Sequence, residues 1–198
     1  MQNTLKDKLT ELLVKITEVL DIPDHLHDDA VLKYEDIGEW LAAEDSKLNL
    51  YTPEIYPQGS FRLGTVVRPL SDRDEYDIDL VCHLRIEKEK VTQEDLKQMV
   101  GDRLKKRNDI AEILEESRRC WSLDYPLQFH MDVLPAIPNQ ERQPTGLLLT
   151  DTDLAKWQKS NPIAYAEWFY GRMIVVLKER RAEFAKSIQA SIEDVPEW

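Results

Sequence analysis

The stretch from Tyr56 to Leu84, YPQGSFRLGTVVRPLSDRDEYDIDLVCHL, decides the reading of this chain. Its last part, Tyr76 to Leu84, alternates polar and apolar side chains as a half-buried strand does. Asp77 and Asp79 interrupt the apolar pattern. A two-residue period puts both on one face, while Ile78 and Leu80 take the other. Carboxylates so close repel, and burying them without a counter-charge is costly, in a chain that already carries a formal net charge of −12. An arginine between them would make the pair tolerable. Mg²⁺ suits it better, because this hard cation takes carboxylate oxygens at about 2.0–2.1 Å and shares the rest of its shell with water and phosphate.

Upstream, Pro57, Gly59, Gly64 and Pro69 punctuate the chain, and Ser71 to Asp74 reads as a turn. In Pro57-Gln-Gly-Ser60, the glycine lets a backbone come close to a phosphate, and Ser60 offers a backbone N–H and a hydroxyl. Gln58 and Thr65 flank that turn, and each either touches phosphate or closes the turn by a hydrogen bond. Arg62, Arg68 and Arg73 form a local basic cluster, readable as phosphate ligands or as solvated loop arginines.

Downstream, Phe129-His-Met-Asp-Val-Leu-Pro135 reads as a second strand, with Asp132 again an acid inside an apolar run. An acidic pair alone is usually a solvated feature. A third carboxylate on a neighbouring strand makes a set that can hold two divalent ions about 3.5–4 Å apart. His130 shares a face with Asp132 and reads as a hydrogen-bonded strand histidine near that site, and His83 gets the same structural reading.

The rest of the chain supplies a frame. Leu5, Leu9, Leu12, Leu13, Ile16, Val19 and Leu20 recur at helical spacing, which predicts an amphipathic helix over 4–20, capped by Thr4, ended by Pro23, with its apolar stripe on the core. A second helix is expected over 30–48 through Leu32, Tyr34, Ile37, Trp40 and Leu41, also core-facing. Thr92 to Asp95 resembles a capping box for a helix running to Arg107, with a further helical piece over 109–116. Strands are expected over 118–125 and 127–137, joined at Pro126. A polar loop over 139–149, a short helix from Asp151, and a long helix over 163–187 capped by Asn161-Pro162 complete the pattern. The fold class is α+β: one domain over 1–198, with N-terminal helices at about 4–48, a small mixed sheet and the site at about 54–137, and C-terminal helices at about 151–188.

The 198 residues, 42% hydrophobic and 32% charged, are those of an ordinary globular domain. No apolar run reaches membrane-span length and the N-terminus lacks a signal peptide's apolar block, so the expected location is the cytoplasm, with no membrane partner. A pI near 4.8 argues against general nucleic-acid binding, which needs a basic surface. Cys82 and Cys120 have neither metal-ligand nor disulfide-framework spacing and read as reduced packing residues. Trp40, Trp121, Trp157, Trp168 and Trp198 form no base-stacking box and read as packing residues.

Gly-Ser, then Asp-x-Asp, then a lone strand aspartate resembles the signature of the DNA-polymerase-β-type nucleotidyltransferase superfamily. Within it, QGSFRLGTVVRP, EYDIDLV and FHMDVLPAIP are similar to the bacterial cGAS/DncV-like nucleotidyltransferases (CD-NTases), relatives of cyclic GMP–AMP synthase and oligoadenylate synthase. WQKSNPIAYAEWF, Trp157 to Phe169, is similar as well, and the resemblance covers roughly residues 50–170. It implies a polymerase-β-like catalytic core. It implies that Gly59 and Ser60 hold the donor triphosphate, that Asp77 and Asp79 ligate two Mg²⁺ ions (or Mn²⁺), and that Asp132 ligates the one nearer the attacking hydroxyl. It further implies NTP substrates (ATP and/or other NTPs), a cyclic di- or trinucleotide product and a downstream effector that senses it in CBASS antiphage defence. The family's chains continue into a C-terminal helical half that closes the cleft and reads the base, which these residues do not contain. Two other readings stand beside the synthase: a truncated non-catalytic nucleotide-binding domain, and a minimal nucleotidyltransferase adding NMP to a protein, an RNA or a small molecule.

Overall fold

The computed structural model describes residues 5–68, 75–126, 128–153 and 156–187. The elements run in the order α1 (Leu5–Leu20), α2 (Asp24–Ala42), β1 (Glu54–Pro57), α3 (Gly59–Leu63), β2 (Tyr76–His83), α4 (Gln93–Leu104) and α5 (Asn108–Ala111). They continue with β3 (Leu114–Glu116), β4 (Trp121–Tyr125), β5 (Phe129–Pro138), β6 (Leu147–Leu149), β7 (Gln158–Ser160) and α6 (Pro162–Ser187).

The sheet is mixed. Its strand order is β1-β2-β5-β4-β3, with β6 pairing the far end of β5 and β7 pairing β6. Among the described residues, only β2 and β5 run parallel, in a register that sets Tyr76 against Phe129, Ile78 against Met131 and Asp79 against Asp132. The two strands therefore repeat one pattern, with apolar residues on one face and polar ones on the other. Ile78, Leu80, Met131, Val133, Trp121 and Leu123 join Ile37 and Leu41 of α2 and Leu96, Val100 and Leu104 of α4 in the main core. The opposite face is apolar only towards the strands' C-terminal ends, where Val81, Leu134, Ala136 and Leu149 form a smaller cluster. Asp77, Asp79, His130 and Asp132 occupy the remainder of that face.

The α4 helix docks closely because Gly101 faces Trp121. A Cβ built on Gly101 would lie 2.1 Å from Trp121 Cζ2. Thr92 Oγ1 accepts from Asp95 N at 3.1 Å, giving the expected cap. Likewise Asn161 Oδ1 accepts from Ala164 N at 3.0 Å at the start of α6, with Pro162 in the first helical position. Cys82 and Cys120 are free and buried.

Several expectations are corrected. The apolar stripe of α1 does not face a core: Leu5 is 85% exposed, Val19 70% and Leu12 52%. Periodicity gave a helix with one apolar face but not a partner for it. Helix α2 spans Asp24–Ala42 rather than 30–48, starting directly after Pro23, and Ser46 opens a separate 3-10 turn, Lys47–Tyr51. Leu32 stands 66% exposed on its outer side. The helix expected over 109–116 stops at Ala111, because Leu114–Glu116 pairs with β4 as a strand. The loop expected over 139–149 ends in a buried strand, Leu147–Leu149, which closes against β5. Residues 152–153 form a turn rather than a helix, and the backbone is tied down by the fully buried Asp151, held by Arg118 and Arg119 at 2.8 Å each. Gln158–Ser160 is a strand inside the region read as helical. Smaller shifts leave α4 ending at Leu104 and β4 starting at Trp121. Thr4, the turn 71–74 with Arg73, and Trp198 lie outside the described residues.

Candidate active site

Three adjacent strands and one turn build the site. Asp79 and Asp132 are direct partners across the parallel β2–β5 pair, so their Cα atoms lie about 4.8 Å apart, one strand spacing. Asp77 stands two residues back on the same face, about 6.6 Å along β2. Asp77 is exposed, and Asp79 and Asp132 are half-buried.

The phosphate-turn candidate sits directly above them. β1 pairs antiparallel with β2, ending at Pro57 opposite Leu80. Gln58 N then donates to Asp79 O at 2.8 Å, pinning the turn to the strand. Gly59 follows with φ +61°, and a Cβ there would sit 2.5 Å from Asp79 Oδ2. Glycine is required twice over, by backbone conformation and by contact with the carboxylate. The turn is held from behind by Phe61, which stacks on His27 with centroids 5.1 Å apart and meets Tyr34 edge-on. Tyr170 Oη, on α6, donates to Arg62 O at 2.5 Å.

The other candidates take different places. Thr65 N donates to Ser60 O at 3.0 Å, closing the turn. The Arg62 guanidinium lies over the Tyr56 ring, 5.8 Å from its centroid, with Nη1 3.4 Å from Pro57 O. Arg68 is exposed, its N–H bonded to Leu20 O at 2.6 Å. His83 lies 3.5 Å from Glu54, towards the other end of β2.

The electrostatics follow from the register. The Asp79 carboxyl is pushed above its ordinary value first by burial, then by Asp132 and then by Asp77, and among the described residues no cation is named as acting on it. An oxygen-only donor set, mutually repelling and partly desolvated, fits a hard divalent cation. The space kept clear by Gly59 over Asp79 Oδ2 fits the approach of such an ion and its phosphate.

Sequence reasoning did not single out three further residues on this face. Ser122 and Asp124 of β4 lie opposite Asp132 and His130, and Ser122 Oγ donates to Asp132 Oδ1 at 2.5 Å. His130 Nε2 is 2.9 Å from Glu75 Oε2, and its Nδ1 is 3.6 Å from Asp124 Oδ1. Glu75, Asp124 and His130 form the group whose ligand atoms all lie within 4.8 Å of one another among the described residues. The ligand oxygens of Asp77, Asp79 and Asp132 do not all come within that distance of one another, as expected of three carboxylates that repel without a counter-charge between them. The signal of Ser122, Asp124 and Glu75 was present in the sequence: Asp77/Asp79, Ser122/Asp124 and His130/Asp132 are alternating polar positions on three strands, and Glu75, directly before β2, continues the first of these patterns. A cavity of about 690 Å³ lined by Leu48, Tyr51, Met99 and Arg103 lies against α4, on the helix-covered side of the sheet, away from the triad.

Residues 4–172 match the family described as Second Messenger Oligonucleotide or Dinucleotide Synthetase domain. The chain is 30% identical over 168 residues to a c-di-GMP synthase of Roseivirga ehrenbergii, covering 83% of this chain and 43% of that protein. It is 25% identical over 206 aligned positions to the cyclic dinucleotide synthase CdnG of Bradyrhizobium diazoefficiens, covering 96% of this chain and 48% of that one. The chain thus spans about half the length of the curated relatives it matches. Among solved structures, the CD-NTase CdnG of B. diazoefficiens in complex with GTP superposes with TM-score 0.65 at 20% identity, over 90% of this chain and 54% of that one. CdnC of E. coli MS115-1 with ATP gives 0.62 at 16%, over 89% and 58%. DncV of Vibrio cholerae, apo form, gives 0.58 at 15%, over 81% and 59%. The fold is that of the polymerase-β-like nucleotidyltransferases.

Proposed function

The chain belongs to the Second Messenger Oligonucleotide or Dinucleotide Synthetase family, and from that premise we propose that it is the catalytic core of a CD-NTase, joining NTPs into a cyclic oligonucleotide with release of pyrophosphate. The observation that carries this reading is the register that makes Asp79 and Asp132 partners beneath the Gly59 turn.

Asp77, Asp79 and Asp132 are the residues that would hold two Mg²⁺, or Mn²⁺. Bound there, the ions would supply Lewis-acid activation of the acceptor hydroxyl and neutralisation of the leaving pyrophosphate. The chain's own residues do the rest. Gly59 clears the approach of the donor triphosphate, Ser60 offers it an N–H and a hydroxyl, and Asp132, besides holding metal, would take up the acceptor's proton directly or through water. Gln58 holds the turn on β2 through its backbone, and the Thr65 N–H closes it from the other end. Arg62, turned onto Tyr56 here, would have to swing outward to meet phosphate. The names of the two curated relatives favour a cyclic dinucleotide and GTP among the substrates. Antiphage signalling through an effector that senses the product, in the cytoplasm, is the biological setting that goes with this reading. No described helix is long and apolar enough to cross a membrane.

The test is incubation of the protein, and of a longer chain where the gene encodes one, with radiolabelled NTPs and Mg²⁺. A phosphatase-resistant cyclic product is expected. Label found only on a macromolecule or a linear acceptor would contradict the reading.

A further inference from the structure

The third carboxylate has a neighbour that the metal reading leaves unused. β4 runs antiparallel beside β5 and places Ser122 opposite Asp132. Ser122 Oγ donates to Asp132 Oδ1 at 2.5 Å. Ser122 Oγ also lies 3.1 Å from Ser117 Oγ and 3.7 Å from Cys120 Sγ, and the Cys120 thiol is itself a hydrogen-bond neighbour of Asp132. A serine hydroxyl has one proton to give, so with Ser122 donating to Asp132, Ser117 is the donor in the 3.1 Å contact and the Cys120 thiol the weaker donor in the longer one. Ser117 is itself fixed, because its N–H donates to Cys120 O at 3.1 Å in the β3–β4 turn. The result is a directed chain, Ser117 to Ser122 to Asp132, running across the sheet edge into the triad.

The terminal torsion of an aspartate is soft and roughly two-fold. Facing Asp79 across one strand spacing, an Asp132 carboxylate without the Ser122 hydroxyl would keep only the weak donor of Cys120 and would rotate away from the negative charge. We infer that Ser122 is a positioning residue: by occupying Oδ1 it fixes the rotation of the Asp132 carboxylate and reserves Oδ2 for the cation, with Ser117 orienting the Ser122 hydroxyl. This rests on the proposed metal triad and adds a second layer to it. Partners of this kind commonly set metal affinity or activity by about 10–100-fold.

The experiment titrates the full chain with Mn²⁺ alone, without nucleotide, by electron paramagnetic resonance or calorimetry. Wild type, Ser122→Ala, Ser122→Thr and Ser117→Ala are compared. Ser122→Ala should weaken Mn²⁺ binding about 10–100-fold. Ser122→Thr, which keeps the hydroxyl, should restore most of the loss, and Ser117→Ala should show a smaller one. In turnover assays the Mg²⁺ midpoint of Ser122→Ala should rise while KM for NTP at saturating metal stays put. Wild-type Mn²⁺ affinity in Ser122→Ala overturns the inference, as does a Ser122→Thr variant as weak as the alanine. If Ser122→Ala does not fold by near-UV circular dichroism, Ser117→Ala decides, and unchanged affinity there overturns it. A folded wild type that binds no Mn²⁺ overturns the triad itself, a separate result.

Discussion

Strand β2 and helix α1 carry comparable apolar runs and meet opposite fates. In β2, Ile78, Leu80 and Cys82 are fully buried beneath α2 and α4, and the residues between them are held at the site face. In α1, Leu9, Leu13 and Val19 remain 54%, 55% and 70% exposed. What separates them is a partner: β2 has strands on both sides and helices over one face, whereas the α1 stripe is uncovered among the described residues. The acids of β2 are fixed because the apolar residues between them cannot slip register without turning Ile78 outward.

The contrast can be broken or sharpened by substitution, beginning in β2. Asp77→Asn or Asp79→Asn should lower turnover by about 10²–10³-fold, the loss typical of removing one charge-stabilising group, measured at saturating Mg²⁺ and NTP. Circular dichroism of the same proteins should remain that of wild type. Next in size, Ile78→Ala should cost about 2–5 kcal/mol in denaturant melts, as large-to-small changes in a packed core do. Gly101→Ala, which drives a methyl into Trp121, should cost about 1–3 kcal/mol.

A subtler prediction has the opposite sign. Because the raised Asp79 carboxyl holds its proton better folded than unfolded, its favourable contribution is complete at acid pH. It is lost as pH rises from the ordinary carboxylate range through the raised value. Metal-free Asp79→Asn should therefore melt higher than wild type at neutral pH, and the gap should narrow in acid. A lower melting temperature for Asp79→Asn throughout would mean that the acid is structural. At the small end, Leu12→Gln in α1 should change stability by less than about 0.5 kcal/mol, because its side chain already meets water. A loss as large as that of Ile78→Ala would show that α1 is covered in solution.

The centre of the molecule was legible because local rules and tertiary demands agree there. EYDIDLV and FHMDVLPAIP both alternate, both face helices, and both set an aspartate at the same register position. The Gly59 turn was legible because its conformation and its contact with Asp79 admit no side chain. The edges were not. Leu114–Glu116 and Leu147–Leu149 are strands only because β4 and β5 offer them edges, a demand that a three-residue window does not contain. Within the site, Ser122 escaped notice because a serine on a short strand acquires meaning only from what lies opposite. The same holds for Glu75 and Asp124, gathered by His130 rather than by any motif of their own.

The most direct test of the central claim is anomalous diffraction from crystals grown with Mn²⁺ and a non-hydrolysable NTP analogue. The account predicts manganese peaks bridging Asp77, Asp79 and Asp132, with the triphosphate against Gly59 and Ser60. Manganese held at Glu75, Asp124 and His130 with the three aspartates bare would contradict it.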